Sequence, residues 1–470
     1  MSSRLLSKAT KVAVSRSVLA LVAALALVGT AGCTEQNACQ ESHGITVCGD
    51  FGQQLYVTNL AGAPVEWPPV AVTDGEIIVS RGSDLVRIDR NGAASVIGSA
   101  GGEATVPSVD AAGNLYVLGS NPTGSQTQLR SLEGAAPANA RWQQQIAGRP
   151  SGAPPTISDD TVFASVESNG VPTVYAVDQT TGEVKWTRDD ASAVALMPDN
   201  SLRYLSGQQG VTTESQPRFA TLVAEGPDGS RKWSWQPAAG DTIVDYAPGP
   251  AGETYVVTAN SHELVRISKD GQTDWQFMPQ CDNCTVAAAP TVTGDVVYFP
   301  VWEVRAEPVD PLFAIEATTG KTRWIYDGFK TKKTNLQGGN LLTTGGSGAS
   351  TTDIWQTHHH PAGRPVVAQD GTLYVSTDGS VTALDQNGQV VGLALYDTSV
   401  GEVTLNTGFM AQPSTWINPG VRPTPVLGKD GTLYVWDGAT VRAFRVGKTA
   451  SRTAWVAPFG GPSNNGRVPN

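Results

Sequence analysis

Residues Val174 to Trp186 read VYAVDQTTGEVKW, and residues Leu312 to Trp324 read LFAIEATTGKTRW. Each stretch predicts two β-strands around a tight turn, because alternating large apolar and small or polar residues are followed by a Thr-Gly pair. Glycine supplies the positive φ that such turns need, and Thr, Val and Tyr favour a pleated, half-buried surface. One copy is typical of any hairpin, so the fold depends on whether the stretch recurs.

The stretch recurs with constant internal spacing. A turn glycine stands four residues before a tryptophan in four places: Gly182 and Trp186, Gly229 and Trp233, Gly271 and Trp275, and Gly320 and Trp324. The tryptophans follow one another at intervals of about 40 to 50 residues, a period that indicates a propeller or another repeat array.

Eight units of this kind extend from about residue 68 to residue 456, and the hexapeptide DGTLYV occurs in two of them. They predict an all-β protein, a β-propeller of eight four-stranded blades, with seven as the alternative count. A half-unit from Leu55 to Trp67 is expected to pair beside the last blade and close the ring. The tryptophans expected at contacts between blades are Trp142, Trp186, Trp233, Trp275, Trp324 and Trp455. Val96 and Gly392 occupy the tryptophan position in the first and seventh units.

The first 32 residues have the features of a targeting segment. Four positive side chains precede the apolar run VLALVAALALV at Val18–Val28, which is too short to span a bilayer comfortably. Small residues then lead to Cys33, and the segment resembles a bacterial lipoprotein signal in which that cysteine is lipidated. An ordinary secretory signal or an uncleaved anchor is the alternative. Each reading predicts export from the cytoplasm.

Composition limits the classes of partner. The chain of 470 residues has 51 Gly, 30 Pro and 16% charged residues, which fits an all-β protein rich in turns. Its net charge is −11, and the first 32 residues contribute only positive charges. The mature protein is therefore strongly acidic, and we expect it to bind no nucleic acid.

The other four cysteines are Cys39, Cys48, Cys281 and Cys284. Disulfides persist in exported proteins, so the expected pairs are Cys39 with Cys48 and Cys281 with Cys284. The alternative for the CDNC motif is a redox-active pair, but no helix N-terminus is predicted there to lower a thiol pKa. Thr285 replaces the histidine that haem attachment needs, and no second C-x-x-C pair completes a zinc site.

The pattern A-[VI]-[DE]-x-x-T-G-x-x-x-W, present at Ala176–Trp186 and Ala314–Trp324, resembles the pyrroloquinoline-quinone (PQQ)-type β-propeller repeat. The resemblance extends over about residues 50–460. Two groups share such repeats: the quinoprotein alcohol and glucose dehydrogenases, and non-enzymatic, often lipid-anchored propellers that include the lipoprotein of the outer-membrane β-barrel assembly machinery.

The resemblance to the dehydrogenases is incomplete. Those enzymes typically have two adjacent cysteines beside the quinone and a Ca²⁺ ion held by oxygen ligands. This sequence has no Cys-Cys pair and no matching Glu, Asn and Asp motif. The resemblance therefore implies a protein-binding scaffold without catalytic residues or cofactor. A PQQ-dependent oxidoreductase is the alternative, and other propeller enzymes, such as lyases or hydrolases, remain open.

Two insertions interrupt the repeats, at about 329–361 and 398–421. Long excursions from a propeller often bind partners, and Trp355, Phe409 and Trp416 are the candidate partner-binding residues. The alternative is that these aromatics pack the insertions onto the ring. The run His358–His360 is interpreted as a solvated loop, because three consecutive side chains cannot converge on one metal ion.

The sequence thus predicts a signal peptide at 1–32, a tether at 33–50, a propeller at 51–461 and a C-terminal tail at 462–470. We expect a protein that is lipid-anchored on the periplasmic side of the outer membrane and binds envelope proteins.

Overall fold

The computed structural model describes most of residues 39–447. Outside this description lie residues 1–38 and 448–470, and the internal residues 43–44, 49–51, 61–68, 74, 122, 135–138, 152, 210–217, 227, 281–283, 287–288, 304–311, 327–332, 336–352, 356–363, 377–379, 396–424 and 437–439.

Every regular element of the described residues is a β-strand, which confirms the all-β class. No helix in this part of the chain is long and apolar enough to cross a membrane. The first strands in chain order are β1 (Cys39–Ser42), β2 (Ile45–Cys48), β3 (Gln53–Asn59), β4 (Val70–Thr73), β5 (Glu76–Arg81), β6 (Asp84–Ile88), β7 (Ala94–Ser99), β8 (Glu103–Ala104), β9 (Ser108–Val109), β10 (Leu115–Ser120), β11 (Gln126–Leu132), β12 (Ala140–Ala147), β13 (Arg149–Pro150), β14 (Thr156–Ile157), β15 (Thr161–Ser168), β16 (Val171–Asp178) and β17 (Val184–Asp189).

The second part of the chain continues the pattern. Its strands are β18 (Ser192–Leu196), β19 (Leu202–Gln209), β20 (Arg218–Glu225), β21 (Arg231–Trp235), β22 (Ile243–Pro248), β23 (Thr254–Thr258), β24 (Leu264–Ile267), β25 (Thr273–Phe277), β26 (Cys284–Val286), β27 (Thr291–Val292), β28 (Val296–Glu303), β29 (Leu312–Glu316), β30 (Thr322–Tyr326), β31 (Lys333–Asn335), β32 (Asp353–Trp355), β33 (Val366–Val367), β34 (Leu373–Ser376), β35 (Ser380–Leu384), β36 (Val390–Leu395), β37 (Val426–Leu427), β38 (Thr432–Trp436) and β39 (Thr440–Arg445).

Apart from two separate hairpins, β1–β2 and β31–β32, the described strands form eight antiparallel groups, named blades 1 to 8 in chain order. Each blade has four positions, A to D, and the chain fills them in sequence in blades 1 to 7. Blade 1 consists of β4 to β7, blade 2 of β8 to β12, blade 3 of β13 to β17, blade 4 of β18 to β21, blade 5 of β22 to β25, blade 6 of β26 to β30, and blade 7 of β33 to β36. In blades 2, 3 and 6 the A position is divided into two short strands. A single bridge between Phe219 and Ile243 joins blades 4 and 5.

Blade 8 is built from both ends of the chain. Strands β37, β38 and β39 fill positions A to C, and β3 from the N-terminal side fills position D. The register places Tyr56 opposite Ala443 and Asn59 opposite Thr440. The half-unit that begins at Leu55 thus pairs beside the last blade, as the sequence predicts. Trp455, which the repeat spacing assigns to position D, lies outside the described residues, and Tyr56 occupies that position.

Seven clusters of buried apolar side chains link the blades into a closed cycle. One cluster joins blades 8 and 1, and others join blades 1 and 2, 2 and 3, and 3 and 4. The largest spans blades 4, 5 and 6, and the last two join blade 6 to 7 and blade 7 to 8. Each blade therefore buries both faces of its sheet against its neighbours, which an isolated blade could not do.

Hydroxyl groups at position A connect neighbouring blades near the centre of the ring. Ser108 of blade 2 donates a hydrogen bond to the carbonyl oxygen of Pro155 at 2.6 Å, and Thr291 of blade 6 donates to that of Pro365 at 2.6 Å. Thr156 of blade 3 donates to Val194 at 2.7 Å. These buried bonds satisfy carbonyl groups that would otherwise be costly to bury.

Candidate functional site

Three side chains from neighbouring strands form a row across most blades. In blade 6, Tyr298, Ala314 and Trp324 are direct partners on strands B, C and D. The small central residue lets the two rings meet over it, with centroids 5.9 Å apart. Blades 2 and 3 repeat this arrangement over Ser131 and Ala176, with ring separations of 6.0 and 5.8 Å. In blade 5 the rings of Tyr255 and Trp275 lie 5.9 Å apart, and the residue between them in the row is Arg266. Tilted aromatic pairs at such distances stabilise beyond their buried area.

Blade 4 carries an arginine in this row. Arg203 is buried and its guanidinium carbon lies 4.7 Å from the centre of the Trp233 ring. Burial lowers the pKa of Arg203. Its Nη1 donates to Ser201 Oγ and to the Leu202 carbonyl, both at 3.1 Å. The guanidinium of Arg203 therefore makes a cation–π contact with Trp233, and its hydrogen bonds to neighbouring groups hold it there.

The tryptophan of one blade binds the C–D turn of the next. Its Nε1 donates to a carbonyl oxygen of that turn, and its ring covers the turn glycine. The hydrogen bonds run from Trp142 to Gln179, from Trp233 to Lys269, from Trp275 to Ala317 and from Trp324 to Gln386, at 2.7 to 3.0 Å. Four of the six predicted tryptophans thus form this hydrogen-bonded contact with the next blade. We call these contacts tryptophan joints.

The turn glycine is required at a tryptophan joint for two reasons. Gly182 has a φ of 80°, in the region that other residues rarely adopt. A Cβ on Gly182 would also lie 2.7 Å from Cδ2 of the Trp142 ring. Gly271, Gly320 and Gly388 have the same two constraints. Each of these glycines is therefore required by the tryptophan of the preceding blade, which packs on it.

The contact between blades 3 and 4 replaces the tryptophan joint with charged groups. Arg188 Nη2 lies 3.1 Å from Oε2 of Glu225, whose side chain is 4% exposed. The Tyr204 hydroxyl donates to Oε1 of Glu225 at 2.6 Å. The atom nearest to a Cβ on Gly229 would be Nη2 of Arg188, at 3.9 Å. Trp186 packs against Phe163 in its own blade and against the apolar cluster that joins blades 3 and 4, without reaching the turn glycine Gly229.

An ion pair connects position A of blade 5 with the start of blade 7. Arg364 Nη2 lies 2.6 Å from Asp245 Oδ2, and the Arg364 side chain is 10% exposed. The pair passes blade 6 near the centre of the ring. It is a structural link, because its partners satisfy each other's charge.

The connections between strands divide the ring into two faces. Because neighbouring strands are antiparallel, A–B and C–D connections lie on one face, here called the turn face. B–C connections and the links from D to the next A lie on the other, called the link face. Strand β3 begins opposite the end of β39, so the chain reaches the ring on the turn face. Both insertions connect a D strand to the next A strand and leave the ring on the link face.

Some of the predicted site residues fall on described strands, and the others lie outside the described residues. Cys39 and Cys48 are direct register partners in the β1–β2 hairpin, which lies beside β36. Directly opposed residues have Cα atoms about 5 Å apart, within the range that a disulfide needs. Trp355 ends β32, which pairs with β31. Cys284 begins β26. Outside the described residues lie Cys33, Cys281, His358, His359, His360, Phe409, Trp416 and Trp455.

The described residues bring no three His, Cys, Asp or Glu side chains together in a way that could hold a metal ion. Burial alone would raise the pKa of Asp199, but hydrogen bonds from Ser201 and Lys232 lower it to about 2. This carboxyl is an ion-pair partner at the surface of blade 4, with Lys232 Nζ at 3.0 Å.

Comparison with known proteins supports the propeller assignment. The family model described as outer membrane protein assembly factor BamB matches residues 52–234. BamB from Moraxella catarrhalis is similar in structure, with a TM-score of 0.54 at 15% identity over 84% of this chain and 99% of that one. Quinohemoprotein alcohol dehydrogenase from Comamonas testosteroni has a TM-score of 0.53 at 15% identity, covering 85% of this chain and 77% of that one.

The Dos1 propeller has a TM-score of 0.50 at 12% identity, covering 84% of this chain and 95% of that one. No curated protein sequence matches the chain. Together these findings identify a PQQ-like β-propeller repeat protein. At such identities the structural likeness concerns the fold alone, and it includes BamB as well as an alcohol dehydrogenase.

Proposed function

We propose that the protein is an exported, lipid-anchored scaffold of the cell envelope that binds envelope proteins and has no catalytic turnover. Cys33 is the lipidated residue in this proposal, and the periplasmic side of the outer membrane is the location. The similarity to the BamB family model over residues 52–234 supports a role with protein partners.

The observation that carries the proposal is the opposite placement of the N-terminal strand and the insertions. The chain enters β3 on the turn face, only 20 residues after Cys33. Both insertions leave and rejoin the ring on the link face. A lipid at Cys33 would therefore hold the turn face near the membrane and present the link face to the periplasm.

The partner-binding residues proposed on the link face are Trp355, Phe409 and Trp416. All three belong to the insertions that start and end on this face. Aromatic side chains are enriched in the centres of protein interfaces, where they supply large contact area at low entropic cost. Blade packing accounts for the repeat tryptophans. It does not account for the aromatic residues of the insertions, which supports a role for them in binding a partner.

A PQQ-dependent oxidoreductase is the alternative function, and it would need ligands for a quinone and a Ca²⁺ ion. The described residues assemble no group of three metal-binding side chains, and the sequence has no adjacent cysteine pair. At 15% identity, the likeness to the dehydrogenase concerns the fold alone. Addition of PQQ and Ca²⁺ to the purified protein should give no dye-linked oxidation of alcohols or sugars. Clear turnover would replace the scaffold assignment with an oxidoreductase.

The anchor is tested by changing Cys33 to Ser. The unchanged protein should incorporate radiolabelled palmitate and sediment with membranes. The Cys33→Ser protein should lose the label and become soluble in the periplasm. Membrane retention without label would show that the targeting segment itself is the anchor.

The binding face is tested by site-specific photocrosslinking in cells. A crosslinking residue replaces Phe409 on the link-face insertion or, as a matched control, the exposed Asp270 in a C–D turn of the turn face. We expect one discrete adduct from position 409, none from position 270, and loss of the first when residues 335–358 are deleted. An adduct from position 270 alone would move the binding surface to the turn face.

A further inference from the structure

A cavity of about 370 Å³ lies at the seam between blades 8 and 1, on the turn face. It is surrounded by residues from both parts of the chain that form blade 8 and by residues from two turns of blade 1. Its lining consists of Leu55, Tyr56, Gly75, Arg90, Asp430, Gly431, Thr432, Tyr434, Arg445 and Gly447. The volume falls in the range of small-molecule sites.

The cavity arises because a tyrosine, Tyr56, takes the place of the repeat tryptophan at this seam. Tyr56 covers Gly92 as a tryptophan covers the turn glycine elsewhere, because a Cβ on Gly92 would lie 2.7 Å from Tyr56 Cγ. A phenol is smaller than an indole and has no ring N–H. Arg90 stands two residues before Gly92, where Lys269 and Gln386 accept an indole hydrogen bond at their own joints. The smaller phenol therefore leaves a space where the indole lies in the tryptophan joints.

Three donor groups from three directions line the cavity. Arg90 comes from the C–D turn of blade 1, Arg445 from the end of β39 and Tyr56 from β3. Neither arginine has an ion-pair partner among the described residues. The Tyr56 hydroxyl is buried and has no hydrogen-bond partner in the same part of the chain.

Charge and protonation favour an anion at this place. Burial raises the pKa of Tyr56 to about 12, so its hydroxyl remains a donor at neutral pH. The Tyr434 hydroxyl is nearby but does not meet hydrogen-bond geometry with Tyr56. The one lining carboxylate, Asp430, already accepts from the Thr432 hydroxyl at 2.7 Å and the Thr432 N–H at 3.2 Å. The Asp89 carboxylate lies near Tyr56 and Arg90 but outside the lining, and its Oδ1 accepts from the N–H groups of Asn91 and Ala93. The lining itself therefore has two guanidinium groups without an ion-pair partner against one carboxylate whose oxygens are engaged.

We propose that this cavity is a binding site for a phosphate group, carried by a small molecule or by a lipid headgroup. Guanidinium groups bind phosphate oxygens in pairs, and a tetrahedral anion can accept donors from three directions. A planar carboxylate fits three separate donors less well. The site is independent of the protein-binding role proposed for the link face.

The test measures binding of inorganic phosphate by calorimetry to the full chain carrying Cys33→Ser. Arg90→Gln and Arg445→Gln should each weaken the affinity about tenfold or more, since each removes a charge-assisted contact. Tyr56→Trp should abolish binding by filling the cavity. The matched control is Lys269→Gln, which removes a positive charge from the equivalent turn position of blade 5 and should leave the affinity unchanged. Thermal melts confirm that each variant is folded.

A second arm distinguishes the sources of phosphate. Vesicles of phosphatidylglycerol and phosphatidylcholine in equal parts are compared with pure phosphatidylcholine in flotation assays. Flotation with the first that is lost in Arg90→Gln assigns a lipid headgroup, and binding of inorganic phosphate without flotation assigns a soluble ligand. Every protein in both arms carries Cys33→Ser, so that no lipid anchor inserts into the vesicles. The proposal is overturned if the protein with this change alone binds neither, or if Lys269→Gln weakens binding as much as Arg90→Gln.

Discussion

The tryptophan joint between blades 2 and 3 and the seam between blades 8 and 1 perform the same task with different chemistry. At the first, Trp142 is 8% exposed, covers Gly182 and donates to the Gln179 carbonyl. At the second, Tyr56 covers Gly92 without such a bond, and Thr58 Oγ1 donates to the Gly92 carbonyl at 2.8 Å instead. The ring thus closes with a phenol in place of an indole, and strand pairing of β3 with β39 joins the two chain ends, with a register shift between Gln54 and Tyr56.

This difference suggests a division of roles. In a continuous blade, strand D is tied to strand C by a short turn, so the tryptophan stabilises the contact with the next blade. In blade 8, strand D comes from a distant part of the chain, and strand pairing must stabilise the blade itself. Six register pairs join β3 to β39.

Removal of β3 should have the largest effect. Deleting residues 34–60 exposes the edge of β39 and the apolar cluster between blades 8 and 1, and we expect aggregation or loss of cooperative unfolding. Deleting residues 34–50 is the control and should leave the urea unfolding transition cooperative. A folded, monomeric protein without β3 would show that the ring does not depend on its closing strand.

Trp142→Ala should be the most damaging single substitution at a tryptophan joint. Loss of a buried tryptophan costs about 3 to 5 kcal/mol, measured as the free energy of urea unfolding. Trp142→Phe keeps an aromatic ring over Gly182 and loses the N–H donor, which predicts a smaller loss of about 1 to 2 kcal/mol. Equal losses in the two variants would mean that the hydrogen bond, and not the ring contact, dominates the joint.

The sequence was sufficient for the joints within the continuous blades and insufficient for the seam. The spacing of glycine and tryptophan predicted the contacts of Trp233, Trp275 and Trp324, and the repeat placed Trp142 at the end of its unit without a glycine at that spacing. Blade 8 combines residues from the two chain ends, and spacing along one end assigned its D position to Trp455. A signal was present, since Gly52 has a φ of 75° and stands four residues before Tyr56.

The contact between blades 3 and 4 was also beyond the repeat pattern. Gly229 and Trp186 match the repeat as well as any other pair, yet they do not meet. The residue two positions after the tryptophan differs: Arg188 occupies it here, whereas Trp235, Phe277 and Tyr326 occupy it in blades 4 to 6. A charged side chain at this place binds Glu225, and a repeat defined by glycine and tryptophan does not register that change.

Alanine at a turn glycine separates ring contact from backbone strain. Gly182→Ala should cost about 2 to 4 kcal/mol, the sum of a left-handed backbone and a clash with Trp142. Gly240 has a φ of 87° and no atom within 4 Å of its Cβ position, so Gly240→Ala should cost only about 1 to 2 kcal/mol. Urea unfolding measures both. Equal costs would show that Trp142 moves aside freely.

Alkaline pH should weaken the charged contact between blades 3 and 4. Burial, and then the hydrogen bond to Glu225, raises the pKa of Tyr204 to about 12 from an unfolded value of 10.0. Because the folded state favours the neutral phenol, this stabilisation is present below pH 10 and is lost as pH rises from 10 to 12. The urea midpoint should fall over that range, and less steeply in Tyr204→Phe. An identical slope in both proteins would place the effect elsewhere.

Tyr56→Trp gives the smallest expected effect and the sharpest comparison of the two kinds of contact. An indole at this position would occupy part of the seam cavity, and its N–H would be directed to the carbonyl oxygen of Arg90 as in the tryptophan joints. We expect a gain of about 1 kcal/mol in the free energy of urea unfolding. Tyr56→Phe is the matched control. It removes a hydroxyl that has no partner among the described residues, so it should change stability by less than about 0.5 kcal/mol. A loss of stability in Tyr56→Trp would mean that the seam is shaped for a phenol, and that the cavity beside it is not the vacated place of an indole.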